Sequence, residues 1–236
     1  MTTTPARPEL VAAFRDLHRP GRPLLMPNAW DTGSARVLAS LGYRALATTS
    51  SGFAATLGRL DGTVTREQAL RHAADIVAAT ALPVSADLEN GFADDPDGVA
   101  ALVRDAIAVG LAGCSIEDST GRPDLPDTIA RLRSFQDAGA DVLYAPGLKR
   151  AEDIKAVVRS VDRPVNVLAM AGAPSVAELA DLGVSRVSVG GAFAFAALDA
   201  LVTAARELLD EGTYGYAQRS VQGAGFARTA FGQPAR

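Results

Sequence analysis

Short apolar runs recur along the chain, at 24–28, 45–48, 84–88, 112–116, 141–145, 164–168 and 186–189. None alternates with a polar face, which is the pattern of strands buried on both sides. Helical periodicity fills the spaces between them, at 8–18, 31–41, 65–80, about 95–110, 126–138, 151–160, 175–182 and 192–211. Gly42, Gly110, Gly139 and Gly183 stop four of these segments, and Thr65-Arg-Glu-Gln68 fits a capping box. Residues 49–53 read as a small-residue turn, followed by a loop through Gly58, Asp61 and Gly62. From Gly212 the chain is rich in Gly and Arg and predicts a mobile tail. The expected organisation is one domain over 1–212, with an N-terminal helix, and a flexible 213–236.

Strict alternation of strand and helix specifies a parallel sheet covered by helices. No GxGxxG follows the first strand and no Walker A sequence occurs, so a nucleotide-binding sheet loses ground. An α/β fold of the TIM-type (β/α)8 barrel fits better. Its active sites lie at the C-terminal strand ends. The count gives seven strands, because the chain between Glu117 and Pro126 is too short for another βα unit.

The strand ends carry the candidate chemistry. Val84-Ser-Ala-Asp-Leu-Glu-Asn-Gly-Phe92 ends in Asp87 and Glu89, two residues apart, which in an extended segment point to one side. Glu117-Asp118 ends the next run, and Ser50, Ser51, Gly52, Asp61 and Asn166 also fall at strand ends. Taken singly, each acid can cap a helix. As a set, they point to a divalent cation with oxygen ligands, magnesium above all.

Composition narrows the rest. Net charge is −4, which gives no support for nucleic-acid binding. No apolar run approaches membrane-spanning length, and the first residues lack the apolar core of a signal peptide. One cysteine, Cys114, excludes an intrachain disulfide, so a cytoplasmic protein is expected. His18 and His72 fall in helices and read as surface residues. That disfavours an imidazole base and leaves a carboxylate or metal-bound hydroxide.

Several segments together resemble the isocitrate lyase/phosphoenolpyruvate mutase superfamily, in its branch of short bacterial members. They are Pro27-Asn-Ala-Trp-Asp31, Thr48-Thr-Ser-Ser-Gly-Phe53, Asp87-Leu-Glu-Asn-Gly91, Ser115-Ile-Glu-Asp118, Ala138-Gly-Ala-Asp-Val-Leu-Tyr-Ala-Pro-Gly147, Arg163-Pro-Val-Asn-Val167 and Gly183-Val-Ser-Arg-Val-Ser-Val-Gly190. The resemblance implies an (α/β)8 barrel, a homo-oligomer (dimer or tetramer) and chemistry at C–C or C–P bonds beside an α-keto acid, through an enolate held on Mg2+. It implies Asp87 as direct metal ligand, with Asp61, Glu89 and Glu117 holding the ion through water. Ser51, Gly52 and Phe53, with Ser50 beside them, resemble the turn that binds the substrate carboxylate and oxyanion. Glu117 also counts among the catalytic candidates, and Trp30 and Asn166 fall in pocket-facing segments.

Two departures follow. Lyases of the family carry a catalytic cysteine loop after the strand-four Glu-Asp, whereas Glu117-Asp118 runs into Ser119-Thr-Gly-Arg-Pro123. A βα unit that supplies a carboxylate-binding arginine in relatives is also lacking, roughly 40 residues by the spacing of such units. Arg122 or Lys149 could stand in for that cation, or both could be solvated loop charges. The expectation is therefore a magnesium-dependent lyase or mutase acting on a small α-keto or dicarboxylic acid. Its rivals are a barrel that keeps only ligand binding or an oligomeric role, and a class II-type pyruvate aldolase.

Overall fold

The computed structural model describes residues 8–118 and 124–232. Proline has no N–H to give a ladder, and Pro27 accordingly splits the first strand into β1 (Leu24–Met26) and β2 (Asn28–Ala29). The strands that follow are β3 (Leu46–Thr48), β4 (Val84–Asp87), β5 (Gly113–Ser115), β6 (Leu143–Tyr144), β7 (Val165–Leu168) and β8 (Arg186–Ser188). Among the described residues, with β1 and β2 taken as one, these make seven strand positions. The helices are α1 (Pro8–Asp16), α2 (Thr32–Ser40), α3 (Ser50–Thr56), α4 (Arg66–Ala79), α5 (Pro96–Ala108), α6 (Leu125–Asp137), α7 (Ala151–Ser160), α8 (Val176–Asp181), α9 (Ala192–Arg206) and α10 (Ala217–Phe231).

All pairings between these strands are parallel, and all but β8–β1 join neighbours in sequence, in the orders β2-β3-β4-β5 and β6-β7-β8-β1. The last strand thus lies beside the first, the neighbourhood that curls a sheet into a barrel rather than leaving it doubly wound. Among the described residues, β5 and β6 do not pair with each other. Between them lies the stretch where the sequence reading expects one βα unit fewer than in relatives.

Alternation along the strands separates two environments. Leu46, Val84 and Ala86 pack outward with Ile76 and Leu102 of α4 and α5, while Val167 and Val187 pack with Ile154 and Leu179 of α7 and α8. The interior is apolar on one side, where Phe14 of α1 plugs the N-terminal end against Leu24, Met26, Ala45 and Ala47. On the other side Asn166, Arg186 and Ser188 are buried.

Three expectations change. The turn at 49–53 is mostly the first turns of α3, capped by Thr49. The segment read as a mobile tail contains α10, which packs on α2. Both histidines are buried rather than on the surface. The helical periodicity of α1 and α4 was visible, but not which of their faces met the barrel.

Candidate active site

Asp87 is the last residue of β4, and three hydrogen bonds hold it. Its Oδ2 accepts from the Ser50 N–H at 3.0 Å and its Oδ1 from the Glu89 N–H at 3.2 Å. Its own N–H donates to Thr48 Oγ1 at 2.9 Å. The carboxylate is therefore fixed at the start of α3, where a negative charge is favoured.

Glu89 reaches the same region by a different route from the extended segment expected. The strand ends at Asp87, Leu88 is fully buried in the outer core, and Glu89 adopts φ 48°. A left-handed backbone at a non-glycine residue is strained and marks a position held by its surroundings. Here the Glu89 carbonyl accepts from the Glu117 N–H at 2.7 Å, tying the ends of β4 and β5 together. Loss of water first, then the charges of Asp61, Asp87 and Glu117, hold the Glu89 proton above the usual carboxylate range. Glu117 is shifted the same way, by loss of water and then by Asp87 and Asp61. Carboxylates from three segments, Asp61, Asp87 with Glu89, and Glu117, thus share one electrostatic environment. Asp118 is not among them, because its carboxylate pairs with Arg131 of α6 at 2.5 Å.

Among the described residues, no three His, Cys, Asp or Glu side chains close into a ready metal-ligand cluster. The four acids still fit a magnesium ion that keeps several waters. They are all oxygen donors, and the crowding that raises the proton affinity of Glu89 and Glu117 is what a cation would relieve.

The α3 turn offers fewer donors than the sequence suggested. Gly52 N–H turns back to Thr49 Oγ1 at 3.3 Å, and Phe53 N–H bonds the Thr49 carbonyl at 3.0 Å. Ser50 N–H is given to Asp87. Ser51 keeps an N–H without a partner among the described residues, and its hydroxyl lies 3.2 Å from Thr49 Oγ1. Gly52 serves close packing instead: a Cβ there would lie 2.6 Å from Thr49 Cγ2 and 3.1 Å from Trp30 Cβ. His72 supports the same wall. Its ring stacks on Phe53 with centroids 3.9 Å apart, and its Nε2 lies 3.0 Å from the Trp30 carbonyl, which makes Nε2 the protonated nitrogen.

Asn166 lies inside the barrel, bonded by Arg186 and bonding Ser188, rather than open at the rim. Sequence reasoning missed Asn28, whose side chain donates to the Thr48 carbonyl and accepts from the Val189 and Gly190 N–H groups, clamping three strand ends. It also missed Tyr144, Arg186 and His72. A polar residue within an apolar strand was the available signal for Asn166 and Arg186.

Residues 14–124 and 120–209 match the sequence profile of the phosphoenolpyruvate phosphomutase family. The chain belongs to that family. A Burkholderia cenocepacia J2315 family protein, provisionally named a lyase/mutase, is 45% identical, and its crystal structure superimposes with TM-score 0.90 over 96% of this chain and 97% of that one. An uncharacterized Mycobacterium tuberculosis (strain H37Rv) protein is 32% identical over 238 residues, taking in 84% of this chain and 89% of its own. The 2-methylisocitrate lyase of Halalkalibacterium halodurans is 26% identical over 200 residues, 66% of each chain. Since 84% of 236 residues is about 198, about 40 of those 238 positions face no residue of this chain. For the lyase, 66% of 236 is about 156, which leaves about 44 of 200. Each total is close to the length of one βα unit, and the two parts of the family match meet at 120–124, between β5 and β6.

Proposed function

We propose that the protein is a magnesium-dependent lyase or phosphonomutase-type enzyme. It makes or breaks a C–C or C–P bond of a small α-keto or dicarboxylic acid by way of an enolate. The observation that carries this reading is the fixed Asp87 carboxylate, with Glu89 and Glu117 at neighbouring strand ends and Asp61 on the loop between α3 and α4, in a phosphoenolpyruvate phosphomutase family barrel. Bound there, Mg2+ supplies the positive charge that stabilises a developing enolate oxygen. The chain's own part is positional. Ser50 and Glu89 N–H groups orient Asp87, Ser51 presents an N–H and a hydroxyl toward the substrate oxyanion, and Trp30 and Phe53 form a wall held by His72.

Calorimetric titration with oxalate, a planar mimic of an enolate, tests this. Binding that requires Mg2+ and is lost in Asp87→Ala is expected. Absence of binding by folded wild-type protein would overturn the reading and favour a barrel without catalysis.

We also propose a cytoplasmic homo-oligomer, built by α9 of one copy on the barrel of another. The first turn of α9 buries Ala194, yet Phe195, Leu198, Leu201 and Val202 along it are exposed. A helix apolar on so much of its surface needs a cover. Beyond it, the helical turn Glu207–Glu211 presents Leu208 and Leu209 beside Asp210 and Glu211. A cleft of about 650 Å3 at the N-terminal strand ends offers the complement: exposed Leu25 and Leu41 with Arg19, Arg22 and Arg44.

A further inference from the structure

Asn28 is 7% exposed and follows Pro27, where the first strand divides. β1 pairs with β8 as far as Met26 opposite Ser188, and β2 pairs with β3 from Asn28 onward. The chain changes partners at this residue, and the Val189 and Gly190 N–H groups lie past the end of the β1–β8 register. The Asn28 amide meets both sides. Its Oδ1 accepts from the Val189 and Gly190 N–H groups, each at 3.0 Å, and its Nδ2 donates to the Thr48 carbonyl at 2.6 Å. Only one orientation of the amide sets the oxygen against two N–H groups and the nitrogen against a carbonyl.

The bond to Thr48 has a consequence one strand further on. The β3–β4 register ends at Ala47 opposite Ser85, and a regular parallel ladder would next give the Asp87 N–H to the Thr48 carbonyl. Asn28 holds that carbonyl instead, and the Asp87 N–H goes to Thr48 Oγ1 at 2.9 Å. The peptide that Asn28 holds also leads into α3, where the Ser50 N–H donates to Asp87 Oδ2. Two of the three hydrogen bonds that fix Asp87 therefore come from the segment 48–50. The other arm of Asn28 reaches the same turn. Just past Gly190, a Cβ on Gly191 would lie 2.5 Å from Ser51 Oγ, so the end of β8 packs directly behind that hydroxyl.

We propose that Asn28 and Thr48 are positioning residues for the metal carboxylate Asp87. Asn28 diverts the Thr48 carbonyl from the ladder and sets the peptide that opens α3, and the Thr48 hydroxyl then takes the Asp87 N–H and aims the carboxylate at the ion. The proposal rests on the magnesium reading above and names the residues that stand behind its direct ligand. Partners of this kind orient a ligand and so govern metal affinity. A side chain that only satisfied the N–H groups past the end of β8 would govern stability alone.

The test is calorimetric titration with Mg2+ of wild type, Thr48→Ser, Thr48→Val, Asn28→Ala and Asn28→Ala/Thr48→Val, with urea denaturation of each to read stability separately. Thr48→Val keeps the shape of the side chain and removes the hydroxyl. It should weaken Mg2+ binding about 10- to 100-fold, whereas Thr48→Ser, which keeps the hydroxyl, should bind within about 3-fold of wild type. Asn28→Ala should weaken Mg2+ by a similar factor to Thr48→Val. The double variant should lose less than the product of the two single losses, because both residues act through the segment 48–50. If Asn28→Ala does not fold, the two Thr48 variants decide the matter. Wild-type Mg2+ affinity in folded Thr48→Val, or equal losses in Thr48→Val and Thr48→Ser, would overturn the proposal while the magnesium reading stands. A folded wild type that binds no Mg2+ overturns both.

Discussion

Glu89 combines a strained backbone with a carboxylate crowded by others, and its two properties can be separated. Asparagine tolerates the left-handed region and carries no charge. Glu89→Asn is therefore expected to keep or raise stability, by on the order of 1 kcal/mol, while weakening Mg2+ binding. Chemical denaturation and metal titration of one sample check both halves, and a large loss of stability would contradict the strain. The raised proton affinities of Glu89 and Glu117 also fix a sign. The folded chain holds these protons to higher pH than the unfolded chain does. Their contribution to stability is thus full below the ordinary carboxylate range and is lost as pH rises through the folded values. Thermal melts should show this loss as pH rises above the ordinary carboxylate range, and it should disappear in Glu89→Gln/Glu117→Gln. Metal competes for the same oxygens, so Mg2+ binding should release protons in that window.

At the scale of elements, the end of β5 is the edge that does not pair with β6 among the described residues. That strand is partly exposed along its whole length, unlike the fully buried β3 and β8. Besides the Glu117 N–H to Glu89 carbonyl bond, its end is restrained by Arg131 of α6, which pairs with the Asp118 carboxylate and also donates to the Asp118 carbonyl at 2.5 Å. Such a pair, partly open to water, is worth about 1 kcal/mol. Arg131→Met should lower the melting temperature by about 2–4 °C for a chain of this size. It should also speed amide exchange in β5 more than in β3, and uniform exchange would show that the pair does not secure this edge. The α3 turn shows the limit of motif reading at this scale. Its small residues were legible, but two of its N–H groups turn out to be used by the helix itself.

For the whole molecule, the exposed α9 and the basic cleft make assembly the property most open to test. Replacing Leu201 and Leu209 by Asp should convert an oligomer to monomer in sedimentation velocity, and Arg22→Glu/Arg44→Glu should do so from the other side. A wild-type monomer at high concentration would exclude the arrangement.

Local pattern in the sequence determined a good deal: the order of strands and helices, the parallel sheet, the barrel rather than a doubly wound sheet, seven strands, and acids at their C-terminal ends. These follow because apolar periodicity records which residues a segment must hide, and strand ends in a parallel fold share one face. Tertiary structure decided the rest. It turned Asp118 away to α6, left Ser51 as the free donor of its turn, folded the tail onto α2 and buried both histidines. It also set Arg186 against His18, 168 residues away in sequence. No periodicity encodes such a contact, because it exists only once the last strand has closed against the first.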